Sequence, residues 1–370
     1  MKAKKGLNFI DRVFLWINIF LCIALLISYV APVTDPSECW PVAFFGLAYP
    51  FLLLANIIMI FYWLLRRKLW VLLPVICIGA GWSILTKTFG FRQNTAKDIK
   101  PDTAAIRLMT YNVHSFKRFG SSNDISTKHE ILEIINQQQP DIIGFQEFYT
   151  RGHGQYDMVD TIQQILNTKQ YYFEALQANS TEAIGMAMFS KYPIVSHGFI
   201  QLSNDRTSEN QCLYIDVKKD GKMFRVYSVH LQSIRFDPED YRFLSKVTGQ
   251  GQAEGGSAKR VGSKLKTAFI KRSKQVFKIK ADAAKCPYPY IISGDFNDTP
   301  TSFAVNQMAK GLKNAFCEKG SGLGRTYNGN FPNYQIDYIM PSTAFNVLDY
   351  NIIEKRLSDH YPVVSDLVLK

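Results

Sequence analysis

The segment IISGDFND, residues 291–298, joins an apolar stretch to two side chains that could do chemistry. Asp295 and Asn297 are two residues apart, so an extended backbone would place both side chains on one face. A carboxylate and a carboxamide at the end of a strand can hold a hydrated divalent cation or a phosphoryl group. Asp and Asn beside Gly and Pro are also common turn residues, so this segment alone leaves both interpretations open.

Other polar residues follow apolar segments in the same way. They are Asn112, Glu147, His230, Asp337, Asp359 and His360, each at the predicted C-terminal end of a strand or in a turn. If these ends converge, one site gathers four carboxylates, two carboxamides and two imidazoles. Because so many apolar segments of one domain end in this way, we interpret the set as a site and not as a series of separate turns.

The elements that would position these residues are mostly strands. Apolar patterning predicts strands over Ile106–Asn112, Asp141–Glu147, Ile184–Ser190, Ile194–Leu202, Cys212–Lys218, Met223–His230, Tyr290–Gly294, Gln335–Met340, Ala344–Ile353 and Tyr361–Leu369. Two hairpins are predicted, one around Lys191-Tyr192-Pro193 and one at Asp220-Gly221. Amphipathic helices are predicted over Ser126–Gln138, Tyr156–Leu166 and Lys264–Ala284. This combination predicts an α/β fold in which two packed sheets carry helices on the outside.

The first quarter of the chain has a different composition. Val13–Val30, Val42–Leu65 and Leu69–Thr86 are apolar runs of membrane-spanning length, although the third is weaker. We therefore predict a cytoplasmic tail (1–12), a transmembrane segment of three helices (13–90), a linker (91–103) and a catalytic domain (104–370). Basic residues precede the first run and separate the second from the third, which predicts a multi-pass membrane protein with its catalytic domain on the extracytoplasmic side.

The positive charge of the chain is unevenly distributed. The formal net charge is +12, and residues 259–285 hold ten Lys or Arg against a single acid, Asp282. A basic surface indicates an anionic partner, such as nucleic acid or phospholipid headgroups. An ordinary solvated helix face would explain the same charges.

The order of the polar motifs adds a more specific argument. TYN (110–112), QE (146–147), SKYPI (190–194), VHL (229–231), GDFND (294–298), IDYI (336–339) and SDHYPV (358–363) together resemble the endonuclease/exonuclease/phosphatase superfamily, which includes the deoxyribonuclease I-like enzymes. The resemblance covers about residues 104–370. It implies a four-layered α/β sandwich and metal-dependent phosphoester hydrolysis, usually with Mg²⁺, with Mn²⁺ as an alternative.

The resemblance also implies a metal site. Glu147 would be the principal ligand, with Asn112 and Asp359 beside it, and carboxylate oxygens with several waters are how magnesium is generally held. Some members of the superfamily have a second acid before the SKYPI-like segment, and Glu182 would occupy that position here.

Five further residues would carry out the chemistry. His360 would pair with Asp337, while Asp295 and Asn297 would position the attacking water and the phosphoryl group, and His230 would donate to the nonbridging oxygens. Either Asp295 or His360 would accept the proton of the water.

Other residues receive weaker predictions. Arg325 and Tyr327 precede IDYI and would form a substrate-side loop. His114, His129, His153 and His197 match no position of the superfamily, and we expect them on the surface or in packing.

The sequence therefore predicts a membrane-anchored, divalent-metal-dependent phosphodiesterase. The partners would be the lipid bilayer, through the N-terminal helices, and an anionic phosphodiester, with nucleic acid as the first expectation for the substrate. A phospholipid or a phosphomonoester is the alternative, and so is a non-catalytic scaffold that uses the groove only for binding. No protein partner is inferred.

Overall fold

The computed structural model describes residues 8–92, 104–117, 125–203, 210–248, 255–329 and 333–370. Most of the predicted linker, residues 93–103, and the first seven residues of the predicted tail lie outside these ranges.

The N-terminal part folds into five helices. They are α1 (Phe9–Ser28), α2 (Pro36–Leu47), α3 (Tyr49–Leu65), α4 (Leu72–Ala80) and α5 (Trp82–Thr88). Within the described residues, α1 is the single helix that is long and apolar enough to cross a membrane. Two bent helix pairs pass the same test if each pair is counted as one span: α2 with α3, bent by 48°, and Leu69–Ala80 with α5, bent by 65°.

Both bends interrupt runs that the sequence predicted as single spans. The run Val42–Leu65 breaks at Ala48, because Pro50 lies in the first turn of α3 and cannot donate a backbone hydrogen bond to the preceding turn. The run Leu69–Thr86 breaks at Gly81, whose flexible backbone accommodates the turn between α4 and α5. Asp11 of α1 pairs with Arg66 just after α3 at 2.9 Å, which places these two helix ends together.

The rest of the chain is built mainly from strands. They are β1 (Gly90–Phe91), β2 (Ile106–Asn112), β3 (Ile142–Arg151), β4 (Gln170–Ala178), β5 (Glu182–Ser190), β6 (Ile194–Gln201), β7 (Gln211–Lys219), β8 (Lys222–His230), β9 (Tyr290–Asp295), β10 (Ser321–Gly322), β11 (Asp337–Pro341), β12 (Phe345–Ile352) and β13 (Val363–Leu369). A six-stranded sheet has the order β12-β13-β2-β3-β5-β4, and a five-stranded sheet has the order β11-β9-β8-β7-β6. The short strands β1 and β10 pair separately.

Six α-helices accompany these strands in the part of the chain that the structure describes. They are α6 (Ile125–Gln138), α7 (Met158–Leu166), α8 (Pro238–Thr248), α9 (Gly255–Ala283), α10 (Phe303–Ala309) and α11 (Ala315–Lys319). The two large sheets enclose a core that includes Leu108, Leu213 and Ile291. Helices α6 and α7 cover the outer face of the six-stranded sheet, and α9 and α10 cover that of the five-stranded sheet. The predicted four-layered α/β sandwich is confirmed.

One predicted hairpin is wrong. Strand β5 lies in the six-stranded sheet and β6 lies in the five-stranded sheet, so Lys191-Tyr192-Pro193 connects the two sheets. Tyr192 and Ile194 pack against the core between the sheets, which holds the crossing chain in place. The partners of β5 are β3 and β4, and the sequence analysis missed β4.

The other predicted hairpin is confirmed. Strands β7 and β8 pair antiparallel across Asp220 and Gly221. Both turn residues have positive φ, 50° and 80° respectively, as a two-residue turn of this kind requires.

The helical segment is packed against the sandwich. Helix α2 lies along α9, and the Phe44 ring meets the Phe269 ring edge-on with 5.4 Å between centroids. Hydrogen bonds between the two parts include Thr301 Oγ1 to the Gly46 carbonyl (2.8 Å), Ser273 Oγ to Asp35 (2.7 Å) and the Tyr334 hydroxyl to the Leu47 carbonyl (3.0 Å). Thr301 and Tyr334 belong to loops that border the segment 295–298, so the helical segment adjoins the predicted site.

Candidate active site

The two large sheets bring their polar ends to one edge. Strands β2 and β3 run parallel in one sheet, and β8 and β9 run parallel in the other. The sheets approach closely at Gly144, where an added Cβ would lie 2.7 Å from Ser228 Oγ. Gln146 Nε2 donates to the same Ser228 oxygen at 2.9 Å and so joins the sheets beside the site. The ends of all four strands therefore meet.

Asp337 and His360 reach this edge from the opposite chain direction to that predicted. Asp337 begins β11, which runs antiparallel to β9, and Asp337 lies opposite Asp295 in this pair of strands. His360 precedes β13, which is antiparallel to β2. Strand β11 starts beside the end of β9, and β13 starts beside the end of β2. Asp337 and His360 therefore lie next to the residues that end β9 and β2. The prediction that Asp337 ends its strand was wrong, although its position in the cluster does not depend on this.

Glu147 is directed into the site by an irregularity in β3. The register between β3 and β5 shifts between Phe145 and Phe148, and Glu147 itself has a φ of +53°. A bulge of this kind re-aims one side chain, and the left-handed backbone of a non-glycine residue carries strain that is common at functional sites. The Glu147 carboxylate accepts from Asn112 Nδ2 at 3.1 Å.

The charge of Glu147 is stabilised by its neighbours. Burial would raise the pKa of this carboxyl, but the hydrogen bond with His114 and the charges of His230 and His114 outweigh burial and lower the pKa to about 2. His114 Nδ1 lies 3.3 Å from Glu147 Oε2 and 3.8 Å from Asp359 Oδ1. The hydrogen bond with Glu147 in turn raises the pKa of His114.

Asp295 is almost completely buried and accepts three hydrogen bonds. Its donors are Asn297 N (2.7 Å), Asn297 Nδ2 (3.0 Å) and Asn112 Nδ2 (3.2 Å). Burial raises the pKa of Asp295 to about 6, despite the opposing charges of His360 and His230. A carboxyl with this pKa is ionised at neutral pH and still basic enough to accept a proton.

His360 is held by Asp337, as the resemblance implied. His360 Nδ1 lies 3.0 Å from Asp337 Oδ2, and Nε2 points to Asp295, 3.7 Å from Oδ2. Burial would lower the pKa of His360, but the charges of Asp337 and Asp295 outweigh it and raise the pKa well above its usual value. These two charges therefore favour the protonated form of the imidazole.

His230 contributes an unpaired nitrogen. The residue is 2% exposed, yet its Nε2 makes no hydrogen bond to any residue in the described ranges. The nearest carboxylate oxygens are those of Asp295 at 3.6 Å and Glu147 at 3.9 Å. Buried polar atoms are rarely left without a partner, which indicates that this nitrogen contacts something bound in the cleft.

The donor set fits a hard divalent cation. Glu147 and Asp359 offer carboxylate oxygens within 4 Å of one imidazole, and Asn112 adjoins Glu147. Asp295, Asp337 and His360 also have ligand atoms within 4.8 Å of one another. Asp337 and His360 already bond to each other, however, and Asp295 already accepts three hydrogen bonds. We therefore place the candidate metal position on the Glu147 side.

His114 is the site residue that the sequence analysis missed. It was expected on the surface or in packing, but it contacts both predicted metal-side carboxylates. Asn112 Oδ1 accepts the backbone N–H of His114 at 3.1 Å, and His114 has a φ of +42°, so the chain folds back immediately after β2. An Asn two residues before a His, at the end of a strand, is the signal that could have revealed this turn.

Two weaker predictions are separated from the cluster by the structure. Arg325 lines another cavity with Tyr350 and Glu354, beyond the turn at Gly322 and Gly324. Glu182 begins β5, where it bonds to the Tyr149 hydroxyl and pairs with Arg151 at 3.2 Å. A carboxylate already neutralised there is not part of the cleft.

Tyr327, in contrast, lies at the cluster. Its ring meets the His360 ring edge-on with 5.4 Å between centroids, and the two residues form an antiparallel bridge. The ring lines the same cleft as Glu147 and Asp295.

Sequence comparison agrees with this geometry. Residues 109–360 match the profile of the Endonuclease/Exonuclease/phosphatase family. The chain belongs to the endonuclease/exonuclease/phosphatase family. The match contains every residue of the cluster, from Asn112 to His360. Residues 11–88 match a second profile, described as a domain of unknown function. No functionally curated protein matched the chain.

Solved structures support the fold of this family member. An endonuclease/exonuclease/phosphatase from Bacteroides vulgatus aligns with a TM-score of 0.52 and 17% identity, over 72% of this chain and 99% of that one. A member of the family from Bacteroides thetaiotaomicron aligns with a TM-score of 0.51 and 17% identity, over 72% of this chain and 98% of that one. A member from Beutenbergia cavernae DSM 12333 aligns with a TM-score of 0.51 and 19% identity, over 72% of each chain. At these identities the likeness shows the shared sandwich fold.

Proposed function

We propose that this chain is a membrane-anchored hydrolase that cleaves phosphoester bonds with the help of a divalent metal ion. The observation that carries the proposal is the meeting of Glu147, Asp295 and His360 in one cleft, although they come from two sheets and are far apart in sequence. Membership of the endonuclease/exonuclease/phosphatase family supports phosphoester hydrolysis as the reaction class. A phosphodiester is the first choice among phosphoesters, and a phosphomonoester uses the same residues.

The metal would be held on one side of the cleft. Glu147, Asn112 and Asp359 would supply the protein ligands, with His114 fixing the Glu147 carboxylate. Mg²⁺ is the preferred ion for such oxygen donors, and Mn²⁺ accepts the same set. When bound, the ion would polarise a phosphoryl oxygen and neutralise the charge that develops on it.

Asp295 and His360 would handle the protons. Asp295 accepts a proton from the attacking water, whose oxygen bonds to phosphorus while the P–O bond to the leaving group breaks and its electron pair stays on the leaving oxygen. Asn297 donates both its backbone N–H and its side-chain amide to Asp295, which fixes the carboxylate. Protonated His360 and His230 Nε2 face the phosphoryl oxygens, where positive charge and donors stabilise the transition state. The pKa values of Asp295 and His360 support this division of roles.

The helical segment would anchor the enzyme. Helix α1 is long and apolar enough for a span, and the bent pairs α2–α3 and α4–α5 provide two more if each is one span. Three spans, together with basic residues before α1 and after α3, favour an extracytoplasmic catalytic domain.

Hydrolysis of bis(p-nitrophenyl) phosphate by the full chain in nanodiscs tests the reaction. We expect turnover with Mg²⁺ or Mn²⁺ and none with EDTA. His360→Ala should lower turnover at least ~100-fold, in line with typical acid–base contributions. The matched control is His197→Ala. His197 belongs to β6, and its imidazole stacks on Tyr172 of β4, outside the cleft.

Two outcomes would contradict the proposal. Turnover that persists in EDTA would show that the reaction does not need a metal ion. A folded His360→Ala protein with undiminished turnover would show that His360 takes no part in the mechanism. Metal-independent binding of the ester without any turnover would favour the scaffold alternative.

A further inference from the structure

The cleft is lined by two groups of residues of different chemistry. One is the cluster of Glu147, Asp295, Asp359, His230 and His360. The other consists of Ile234, Phe236, Leu265, Phe269 and Leu47, which belong to a single apolar cluster and which we call the apolar arm. The cavity that joins them has a volume of about 210 Å³. A ligand that carries a phosphate next to an apolar group would match both groups of lining residues.

The apolar arm is built jointly by the two parts of the chain. Leu47 ends α2 of the helical segment, while Leu265 and Phe269 belong to α9 of the sandwich. Behind Leu47, Phe44 packs on Phe269 and belongs to the same apolar cluster as Val261 and Leu265. The Tyr334 hydroxyl fixes the Leu47 carbonyl at 3.0 Å, so this wall is held against the cleft.

The position of Leu47 links the arm to the apolar helices. One residue separates it from α3, whose large apolar side chains Phe51, Leu54 and Ile58 are more than half exposed. Exposed apolar helix faces of this kind are covered by lipid in a membrane protein. The arm therefore runs from the reacting cluster toward the part of the protein that would contact the bilayer.

From this juxtaposition we infer that the substrate is a lipid phosphoester, whose phosphate lies at the cluster and whose hydrocarbon chain begins in the apolar arm. The inference rests on the proposed hydrolase function and names its substrate class. The reaction is unchanged: a water oxygen bonds to phosphorus, one P–O bond breaks, and the leaving alcohol takes a proton.

The basic helix α9 offers less to a nucleic acid than its sequence indicated. Arg260 pairs with Asp240 at 2.6 Å, Lys264 pairs with Asp240 and Asp237 at 2.6 Å, and Arg272 is buried beside Asp298 at 3.0 Å. Nucleic-acid binding depends on cations that can neutralise a series of phosphates. Three of the nine Lys and Arg residues of α9 are thus already neutralised within the protein and contribute little to such binding, which weakens the case for a polynucleotide.

A series of p-nitrophenyl alkyl phosphodiesters tests the inference. The methyl, butyl, hexyl and octyl esters share one leaving group, so the release of p-nitrophenolate reports the same bond cleavage in each. With the full chain in nanodiscs and esters below their micellar concentrations, kcat/KM should rise with chain length. Each buried methylene contributes up to about fourfold, so the octyl ester should exceed the methyl ester by at least ~tenfold.

The variant Leu47→Ser locates the effect in the arm. It should lower the octyl-to-methyl ratio of kcat/KM at least ~fivefold, since a hydroxyl replaces the apolar wall. Leu323→Ser makes the same change at an exposed leucine that lines a different cavity, and should leave this ratio as in the unmodified chain. If Leu47→Ser does not fold, Leu47→Phe narrows the arm without adding polarity and should lower the octyl rate more than the methyl rate.

The outcomes separate the two proposals. If none of the esters releases p-nitrophenolate in Mg²⁺ or Mn²⁺, the proposed hydrolase function fails. If all four are cleaved with equal kcat/KM, the hydrolase stands and the lipid inference is overturned. Cleavage of a DNA oligonucleotide at a higher kcat/KM than the octyl ester would also overturn it and assign the cleft to nucleic acid.

Discussion

The side-chain amide of Asn112, at the end of β2, donates a hydrogen bond to Asp295, at the end of β9, with 3.2 Å between Nδ2 and Oδ2. The same nitrogen lies 3.1 Å from Glu147 Oε1. One carboxamide therefore connects the two sheets and also the two sides of the cleft, since Glu147 lies on the metal side and Asp295 on the proton-accepting side. Its two N–H groups match its two carboxylate partners.

Removing this amide should affect both stability and turnover. Asn112→Ala leaves the buried Asp295 carboxylate and the partly exposed Glu147 carboxylate with one donor fewer each, and an unsatisfied buried group costs about 1–3 kcal/mol. We expect the free energy of unfolding to fall by this amount in urea titrations followed by circular dichroism, and turnover of bis(p-nitrophenyl) phosphate to fall at least ~tenfold. Asn346→Ala, at an exposed position of β12, should change neither quantity. Equal behaviour of the two variants would contradict a linking role for Asn112.

The pH dependence of turnover should be bell-shaped. Asp295 must be ionised to accept a proton, so activity should rise with pH through its pKa of about 6. His360 must be protonated, so activity should fall as the pH rises past its elevated pKa. The charge of Asp337 raises both pKa values. Asp337→Asn should therefore move both limbs of the profile to lower pH.

A matched substitution checks that this shift comes from the contact and not from the loss of a charge in general. Asp220→Asn removes a carboxylate at the exposed hairpin turn between β7 and β8, and its profile should coincide with that of the unmodified chain. A profile for Asp337→Asn whose two limbs stay in place would show that Asp337 does not govern Asp295 and His360.

His114 should matter for metal affinity. Its imidazole bonds to Glu147 and lies near Asp359, and groups that orient a metal ligand typically contribute 10–100-fold to affinity. We expect His114→Ala to raise the Mg²⁺ concentration for half-maximal turnover by about this factor, with turnover largely restored at saturating Mg²⁺. His114→Gln retains an N–H donor and should show a smaller change.

The control for this titration is His129→Ala, at an exposed position of α6. Its Mg²⁺ dependence should match that of the unmodified chain. If the Mg²⁺ concentration for half-maximal turnover is unchanged or lower in His114→Ala, the histidine only packs beside the carboxylates.

The sequence was most informative where local patterns determine structure. The turn at Asp220-Gly221 needs no tertiary context, and the four-layered sandwich follows from apolar strands and amphipathic helices combined with the family motifs. The partners of β5 were not predictable in the same way. Lys191-Tyr192-Pro193 has the composition of a tight turn, and only packing between the sheets makes it a connection from one sheet to the other.

The same distinction applies to the site. Glu147, Asp295 and His360 stand at recognisable motif positions, whereas the direction of the Glu147 side chain depends on a bulge in β3 that its own residues do not announce. His114 reaches the Glu147 carboxylate through a left-handed turn, and Leu47 reaches the cleft through the packing of α2 on α9. Those contacts join segments that are distant in the sequence, so a single amino-acid sequence contains little information that predicts them.

The junction between the helical segment and the sandwich yields a final prediction. Gly46, near the end of α2, lies where an added Cβ would be 2.7 Å from the Ala31 Cβ and 3.1 Å from the Thr301 carbonyl oxygen. Neither atom belongs to a flexible side chain, so Gly46→Ala must displace α2 or the loop at Thr301, at a cost of about 1–3 kcal/mol. This loop follows Asn297 and Asp298, so turnover should fall together with the melting temperature. Gly79→Ala is the matched control, because an added Cβ there would meet no described atom within 4 Å and alanine favours the interior of α4. We expect Gly79→Ala to leave turnover unchanged and the melting temperature unchanged or higher, and equal losses in both variants would contradict a coupling between α2 and the active site.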